Sequence, residues 1–206
     1  LKAKGAVFGE IFGWERAKWF DPNQEGEQYS FKRNDSFDAV AAECKAVREH
    51  AGLLDLSSFA KFDIQGEDAT SFLNRLCANR IPKKAGGISL VHLLTDLGGI
   101  ECEGTVTRLS KDVFYFLSAA VAEIHDEDWL DQQRLPGERV EISNVTDDYG
   151  ILLLTGPRSR DILKQLTDAD LSNDAFPWLW CQEIQVAAIP TRALRVSYLG
   201  ELVWEL

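Results

Sequence analysis

Apolar residues recur at helical spacing over residues 36–50, with Phe37, Val40, Ala41, Cys44 and Val47 on one side and Ser36 placed to cap the first turn. Gly52 ends that run. Short apolar runs then predict strands over 53–56 and 61–65, and 68–76 reads as a second helix with Phe72, Leu73 and Leu76 on one face. Further strands are predicted over 88–94, 104–109 and 113–117, joined by turn-forming residues at 96–99 and 110–112. Residues 119–133 read as a helix whose inward stripe is Val121, Ile124, His125 and Trp129. After Pro136 and Gly137 a second cycle follows: strands over 140–145 and 149–155, a break at Gly156 and Pro157, and a helix over 158–166. Strands over 182–186, 191–197 and 201–206 close it. Residues 1–33 carry Gly5, Gly9, Gly13, Pro22 and Gly26 among aromatics, a spacing that disfavours regular structure.

This is an α+β pattern without strict βαβ alternation. A strand-helix-strand-strand unit occurs twice, near 61–117 and 149–197, with no fixed-period repeat. At 206 residues the chain can bury a sizeable core without disulfides or metal. The net charge of -11 disfavours nucleic acid and anionic membrane surfaces as partners, because both need a basic surplus. The longest apolar stretch, 113–122, is too short to span a bilayer. Cys44, Cys77, Cys102 and Cys181 form no metal-binding spacing, so reduced thiols, an intracellular compartment and no protein-held metal are expected. The chain contains no Met and starts at Leu1, and its last strand ends without a turn signal, so it reads as a segment of a longer protein.

The chemistry-bearing residues are carboxylates. Gly86-Gly87 and Gly98-Gly99 fit hairpin turns and match no phosphate-binding loop. Glu101 and Glu103 alternate with Cys102, so period two puts both glutamates on one face of a strand. Such a pair is costly on a buried face unless it meets a ligand or a cation, and unremarkable on an exposed edge. In the last segment, Tyr198 and Glu201 flank Gly200, and Glu201 and Glu205 bracket Trp204. A flat heterocycle rich in N–H donors suits that set, since a carboxylate accepts two parallel N–H bonds and an aromatic covers the ring. A hairpin with a packed Trp accounts for the same residues.

Ordered motifs along the whole chain carry a resemblance. They are residues 5–20 (Gly-Ala-Val-Phe-Gly-Glu-Ile-Phe-Gly-Trp-Glu-Arg-Ala-Lys-Trp-Phe), 50–59 (His-Ala-Gly-Leu-Leu-Asp-Leu-Ser-Ser-Phe), 98–100 (Gly-Gly-Ile), 154–160 (Leu-Thr-Gly-Pro-Arg-Ser-Arg) and 197–201 (Ser-Tyr-Leu-Gly-Glu). They resemble the aminomethyltransferase (glycine-cleavage T-protein) superfamily, above all the folate-binding region of dimethylglycine and sarcosine dehydrogenases. The resemblance implies a folate-binding α+β fold with ferredoxin-like units, continued beyond this chain by a β-barrel domain. Residues 1–33 would be a junction following a flavin domain, 34–60 with 141–206 a first subdomain, and 61–140 a second. A contact with the flavin domain through residues 5–20 is implied, and FAD belongs to that upstream domain, since no dinucleotide fingerprint occurs here.

The resemblance also implies tetrahydrofolate as cofactor and a methylamine as substrate, whose iminium carbon is captured as 5,10-methylenetetrahydrofolate. Glu103 falls on the catalytic carboxylate, where the family normally has Asp. Tyr198, Glu201, Glu205, Arg195 and Gly99 are the implied folate-binding residues, with Glu201 on the pterin N–H edge. Val203 stands where the family has Gly, and Leu90 where many T-proteins have Tyr. The implied compartment is the cytoplasm, or the mitochondrial matrix in a eukaryote. Two other classes compete: a folate-binding module without transfer, or an aminomethyltransferase-like protein acting on another methylated substrate. The iron–sulfur assembly factors of the superfamily carry a Lys-Gly-Cys-x-x-Gly-Gln-Glu motif that is missing at 197–201.

Overall fold

The computed structural model describes every residue except 22, 24–28, 35 and 199, so the readings at Pro22, Gly26 and Leu199 lie outside the described residues. In chain order the elements are β1 (Ala6–Ile11), β2 (Trp14–Phe20), α1 (Ser36–Glu49), β3 (Gly52–Asp55), β4 (Ala60–Gln65), α2 (Ala69–Leu76), β5 (Ile88–Leu94), β6 (Ile100–Arg108), β7 (Val113–Ser118) and α3 (Glu123–Gln132). They continue with β8 (Glu141–Asn144), β9 (Leu152–Thr155), α4 (Ser159–Leu163), β10 (Trp180–Val186), β11 (Ile189–Arg195) and β12 (Val203–Glu205). The expected α+β class is the observed one. No helix among the described residues is long and apolar enough to cross a membrane.

Two five-stranded antiparallel sheets hold the structure, in the orders β5-β6-β7-β4-β8 and β10-β11-β12-β9-β3. Both are built the same way: a strand, a helix, then three strands, the last returning beside the first. The unit is thus one strand longer than the sequence pattern suggests. The corner from strand to helix repeats too. Gly66 and Gly156 both take positive φ, 132° and 104°, and their carbonyls accept bonds from the N–H groups of Ala69 and Ser159 at 3.0 Å each. A Cβ at either glycine would collide with backbone carbonyl oxygen, of Arg139 or of Val47, so no other residue turns these corners.

Side-chain alternation then decides the layers. On the outer face of the first sheet, Phe62, Ile64, Phe114 and Phe116 pack under α2 and α3, with Phe72 and Leu130. Outside the second, Leu154, Ala193 and Trp204 pack with Leu163, Leu171 and Phe176. The inner faces meet each other: Tyr115 and Leu117 from one sheet touch Leu153 and Val203 from the other.

The chain passes between sheets at 56–59 and 145–151, and Lys61 ties both connections together. Its fully buried Nζ donates to the carbonyls of Ser57 (2.7 Å), Phe59 (2.9 Å) and Thr146 (2.9 Å). Burial pulls its pKa below the ordinary lysine value, with Glu123, Asp147 and Asp55 opposing. Lys61→Met keeps the stem but strands three acceptors. It is expected to lower the unfolding free energy by about 2–3 kcal/mol in urea denaturation; an unchanged midpoint would show that those carbonyls find water instead.

Three expectations are corrected. Residues 6–20 form a hairpin, because the glycines counted against regular structure serve it: Phe12 and Gly13, at φ 53° and 82°, make a tight turn between Ile11 and Trp14. In α3 the buried residues are Asp126 and Leu130, while Val121, Ile124 and His125 face outward. A tighter turn over Ala120–Ala122 precedes the helix and rotates its inward face. Finally, β8 pairs with β4, so residues 141–144 belong with the sheet of 61–140 and not with the sheet of 146–206.

Candidate functional site

Register places one side chain set on the inner face of the first sheet. Ile88, Thr107, Tyr115 and Asp63 lie in one row across the strands, Leu90, Thr105, Leu117 and Lys61 in the next, and His92 with Glu103 at the open end. Facing them, Arg192 and Leu194 of β11 and Val203 and Glu205 of β12 share the inner face of the second sheet. The gap between the sheets holds polar atoms that the protein leaves unsatisfied. Among the described residues, Thr105 Oγ1, Thr107 Oγ1, Asp63 Oδ1 and Glu205 Oε1 are buried without a partner. Buried polar atoms of this kind are rare, and several in one gap point to a ligand with complementary donors and acceptors.

Glu205 is the buried carboxylate among them, only 2% exposed. Burial pushes its carboxyl up to about 7, and the Tyr198 hydroxyl that donates to it opposes the shift. The Tyr198 phenol is raised in turn by burial, then by Glu205, with Glu103 adding a smaller push, so the three groups lie within electrostatic reach of one another. Glu205 also lines a cleft of about 440 Å3 with Tyr115, Tyr149 and Arg192. The Arg192 guanidinium stacks on both tyrosines, 4.7 and 5.4 Å from the ring centres, and pairs with Glu183 at 3.0 Å. Asp63 is raised by burial, with Arg192 opposing.

Glu101 and Glu103 do not share a face. Leu93 pairs with Cys102 and Leu94 with Ile100, so Glu101 is the extra residue of a β-bulge. The bulge turns Glu101 toward α3, where it meets His125 Nε2 at 2.9 Å. His125 Nδ1 lies 3.0 Å from Asp126 Oδ1, and the buried Asp126 accepts from Ser118 Oγ (2.6 Å) and Cys102 Sγ (3.1 Å). These bonds fasten α3 to the strand that carries Glu103. Burial pushes the Cys102 thiol far up, and next the Asp126 bond, which makes it an inert donor. Glu103 itself stays on the inner face of the sheet, its Oε2 2.7 Å from His92 Nε2.

Of the other residues singled out by sequence, Arg195, Gly200 and Glu201 line a second cleft of about 390 Å3 whose lining includes neither Glu103 nor Glu205. Glu201 accepts from Arg48 of α1 at 3.0 Å. Arg195 alternates with Leu194 to the outer face of its sheet, where it lies over Trp204 and donates to the Phe176 carbonyl. Trp204, next to Glu205, packs against Phe176 in the outer core and so cannot cover a ring in the gap. Gly99 spends its N–H on Thr95 Oγ1 and its carbonyl on Thr95 N–H within the turn. Gly200 has φ 88° and open space around it, so the glycine serves the turn rather than a close approach. Val203 is buried between the sheets, and Leu90 is half exposed on the row beside His92. Sequence reasoning missed Thr105, Thr107, Tyr115, Arg192 and His92. Period two from Glu103 reaches the threonines, but nothing local says which sheet face closes over them.

Fold and site together define an aminomethyltransferase-type domain: paired antiparallel sheets around a carboxylate-lined gap. The chain belongs to the GCVT N-terminal domain family, whose profile matches residues 1–206. It is 41% identical to the mitochondrial dimethylglycine dehydrogenase of Rattus norvegicus, over 94% of this chain and 23% of that protein. It is 35% identical to sarcosine oxidase subunit alpha of Corynebacterium sp. (strain U-96), over 99% of this chain and 21% of that protein. The chain therefore spans under a quarter of the length of these relatives. Its fold superposes on glycine cleavage system aminomethyltransferase T from Bartonella henselae with a TM-score of 0.78 at 24% identity, covering 99% of this chain and 50% of that one.

Proposed function

We propose that this chain is the tetrahydrofolate-binding, one-carbon-transfer region of a dimethylglycine- or sarcosine-dehydrogenase-like enzyme. The observation that carries this reading is the buried Glu205 carboxyl, with one oxygen unpartnered, in the gap that Glu103 borders. A pterin edge offers adjacent N–H groups, and an ionised carboxylate accepts both at once. The acceptor carboxylate therefore fits the ligand, and the partnerless Thr105 and Thr107 hydroxyls supply further polar contacts. Glu205 takes the N–H edge in this reading and Tyr198 holds Glu205, while Glu201 and Arg195 support the loop and sheet from outside the gap.

Tetrahydrofolate, when bound, would supply the two amines that capture an iminium-derived carbon, giving 5,10-methylenetetrahydrofolate and releasing the demethylated amine and a proton. Glu103 orients one of those amines and accepts its proton. The sheets exclude water from the Glu205 end, which strengthens its bonds to the ligand. FAD, which would form the iminium from the methylamine, is assigned to another domain of the full-length protein. Its contact is placed on the β1–β2 hairpin, where Ile11 and Phe12 are exposed. The mitochondrial relatives support the matrix as the compartment for a eukaryotic source.

The test is titration of the chain with tetrahydrofolate, followed by methylenetetrahydrofolate formation from formaldehyde above the uncatalysed rate. Binding with turnover is the expected result. Binding without turnover leaves a folate-binding module, and no binding removes the folate reading.

A further inference from the structure

We propose that His92 is a positioning residue for Glu103, holding its carboxylate on the inner-face side of β6; the inference rests on the folate-transfer reading above. His92 and Glu103 are direct cross-strand partners, and Nε2 lies 2.7 Å from Oε2. An ionised carboxylate can only accept, so Nε2 carries the hydrogen and the bond fixes the ring's tautomer. Glu103 needs such a partner. The β6–β7 pairing ends at Gly104 and Ser118, one residue short of it, so its flank on that side is open. Its side chain is 62% exposed. A glutamate left in water samples many rotamers, and ordering it for each turnover carries an entropic cost that a standing hydrogen bond removes in advance.

The flanking groups cannot do this work. Glu101 is turned to α3 by the bulge, and the Tyr198 hydroxyl is committed to Glu205. His92 in turn is held by the ladder on both sides, through the pairs Val91–Gly104 and Leu93–Cys102. Both residues thus stand in one β5–β6 ladder, and the side-chain bond is what sets the direction of the carboxylate.

A double-mutant cycle on the chain tests this, with the tetrahydrofolate Kd from fluorescence titration and kcat from methylenetetrahydrofolate formation. His92→Leu is expected to lower kcat about tenfold with Kd within about twofold, as loss of orientation predicts. His92→Gln, which keeps a donor, is expected to recover most of that loss. In a Glu103→Gln background His92→Leu is expected to do nothing further. An unchanged kcat in His92→Leu, or an equal loss in both backgrounds, overturns the inference while the wild type still binds and turns over. A wild type that does neither overturns the functional reading, and this inference with it.

Discussion

Glu205→Gln is expected to weaken tetrahydrofolate binding by about 100-fold while making the unliganded protein more stable at pH 8. The two effects have one cause. Hydrogen bonds from N–H donors to a buried carboxylate contribute about 1.5–3 kcal/mol each. The amide can offer one acceptor in place of two and turns an NH2 group toward a donor. The same burial that strengthens those bonds penalises the empty site. With the folded pKa pushed up to about 7 from an ordinary 4.5, the carboxyl is protonated in both states at low pH and costs nothing there. Between pH 4.5 and 7 the unfolded chain ionises first, so stability is lost as pH rises, reaching about 3 kcal/mol above pH 7. Urea denaturation should find the variant and wild type alike at pH 4.5 and the variant more stable at pH 8. Binding has the opposite slope. The ligand needs the ionised form, so wild-type affinity should fall about tenfold per pH unit below 7, and the variant's should not. A variant that binds as tightly as wild type would remove Glu205 from the site.

Glu103→Gln is expected to lower kcat by about 100- to 1,000-fold, the usual range for a lost general base or electrostatic partner, with Kd changed by less than about threefold. The separation follows from placement. Glu103 is exposed at the open end of the gap, so it contributes little to ligand burial, whereas Glu205 lies at the buried end. Glu103→Asp shortens the side chain by one methylene and draws it away from His92, so an intermediate loss is expected. Formaldehyde-dependent turnover under saturating tetrahydrofolate distinguishes the cases. If Glu103→Gln turns over like wild type, the carboxylate has no chemical role and the domain is a binder.

Much of the local structure is legible in the sequence because it depends on neighbours only a few residues away. The helix at α1, the strand β4 and the break at Gly156 all follow from spacing and backbone sterics. The failures have local signatures too, but ambiguous ones. Phe12-Gly13 reads equally as a breaker or a hairpin turn, and which it is depends on the register of Val7 with Trp19 and Ile11 with Trp14. The bulge at Glu101 is invisible because a single inserted residue leaves the apolar pattern intact while moving one side chain to the other face.

By itself, then, the sequence determined the element types, the α+β class, the family and the pool of carboxylates from which a site could be made. Only the tertiary structure chose among them. Glu201 and Glu205 are four residues apart and chemically identical, yet one is held in an ion pair with Arg48 and the other is buried beside Tyr198 with an oxygen unpartnered. What separates them is placement: Glu201 lies in the bend before β12, whereas Glu205 lies in β12 itself, where the two sheets close over each other. That closure is made by contacts between residues far apart in the chain, such as Tyr115 with Val203 and Lys61 with Thr146. Burial is a property of those long-range contacts, and it is burial that turns an ordinary carboxylate into a ligand-seeking one.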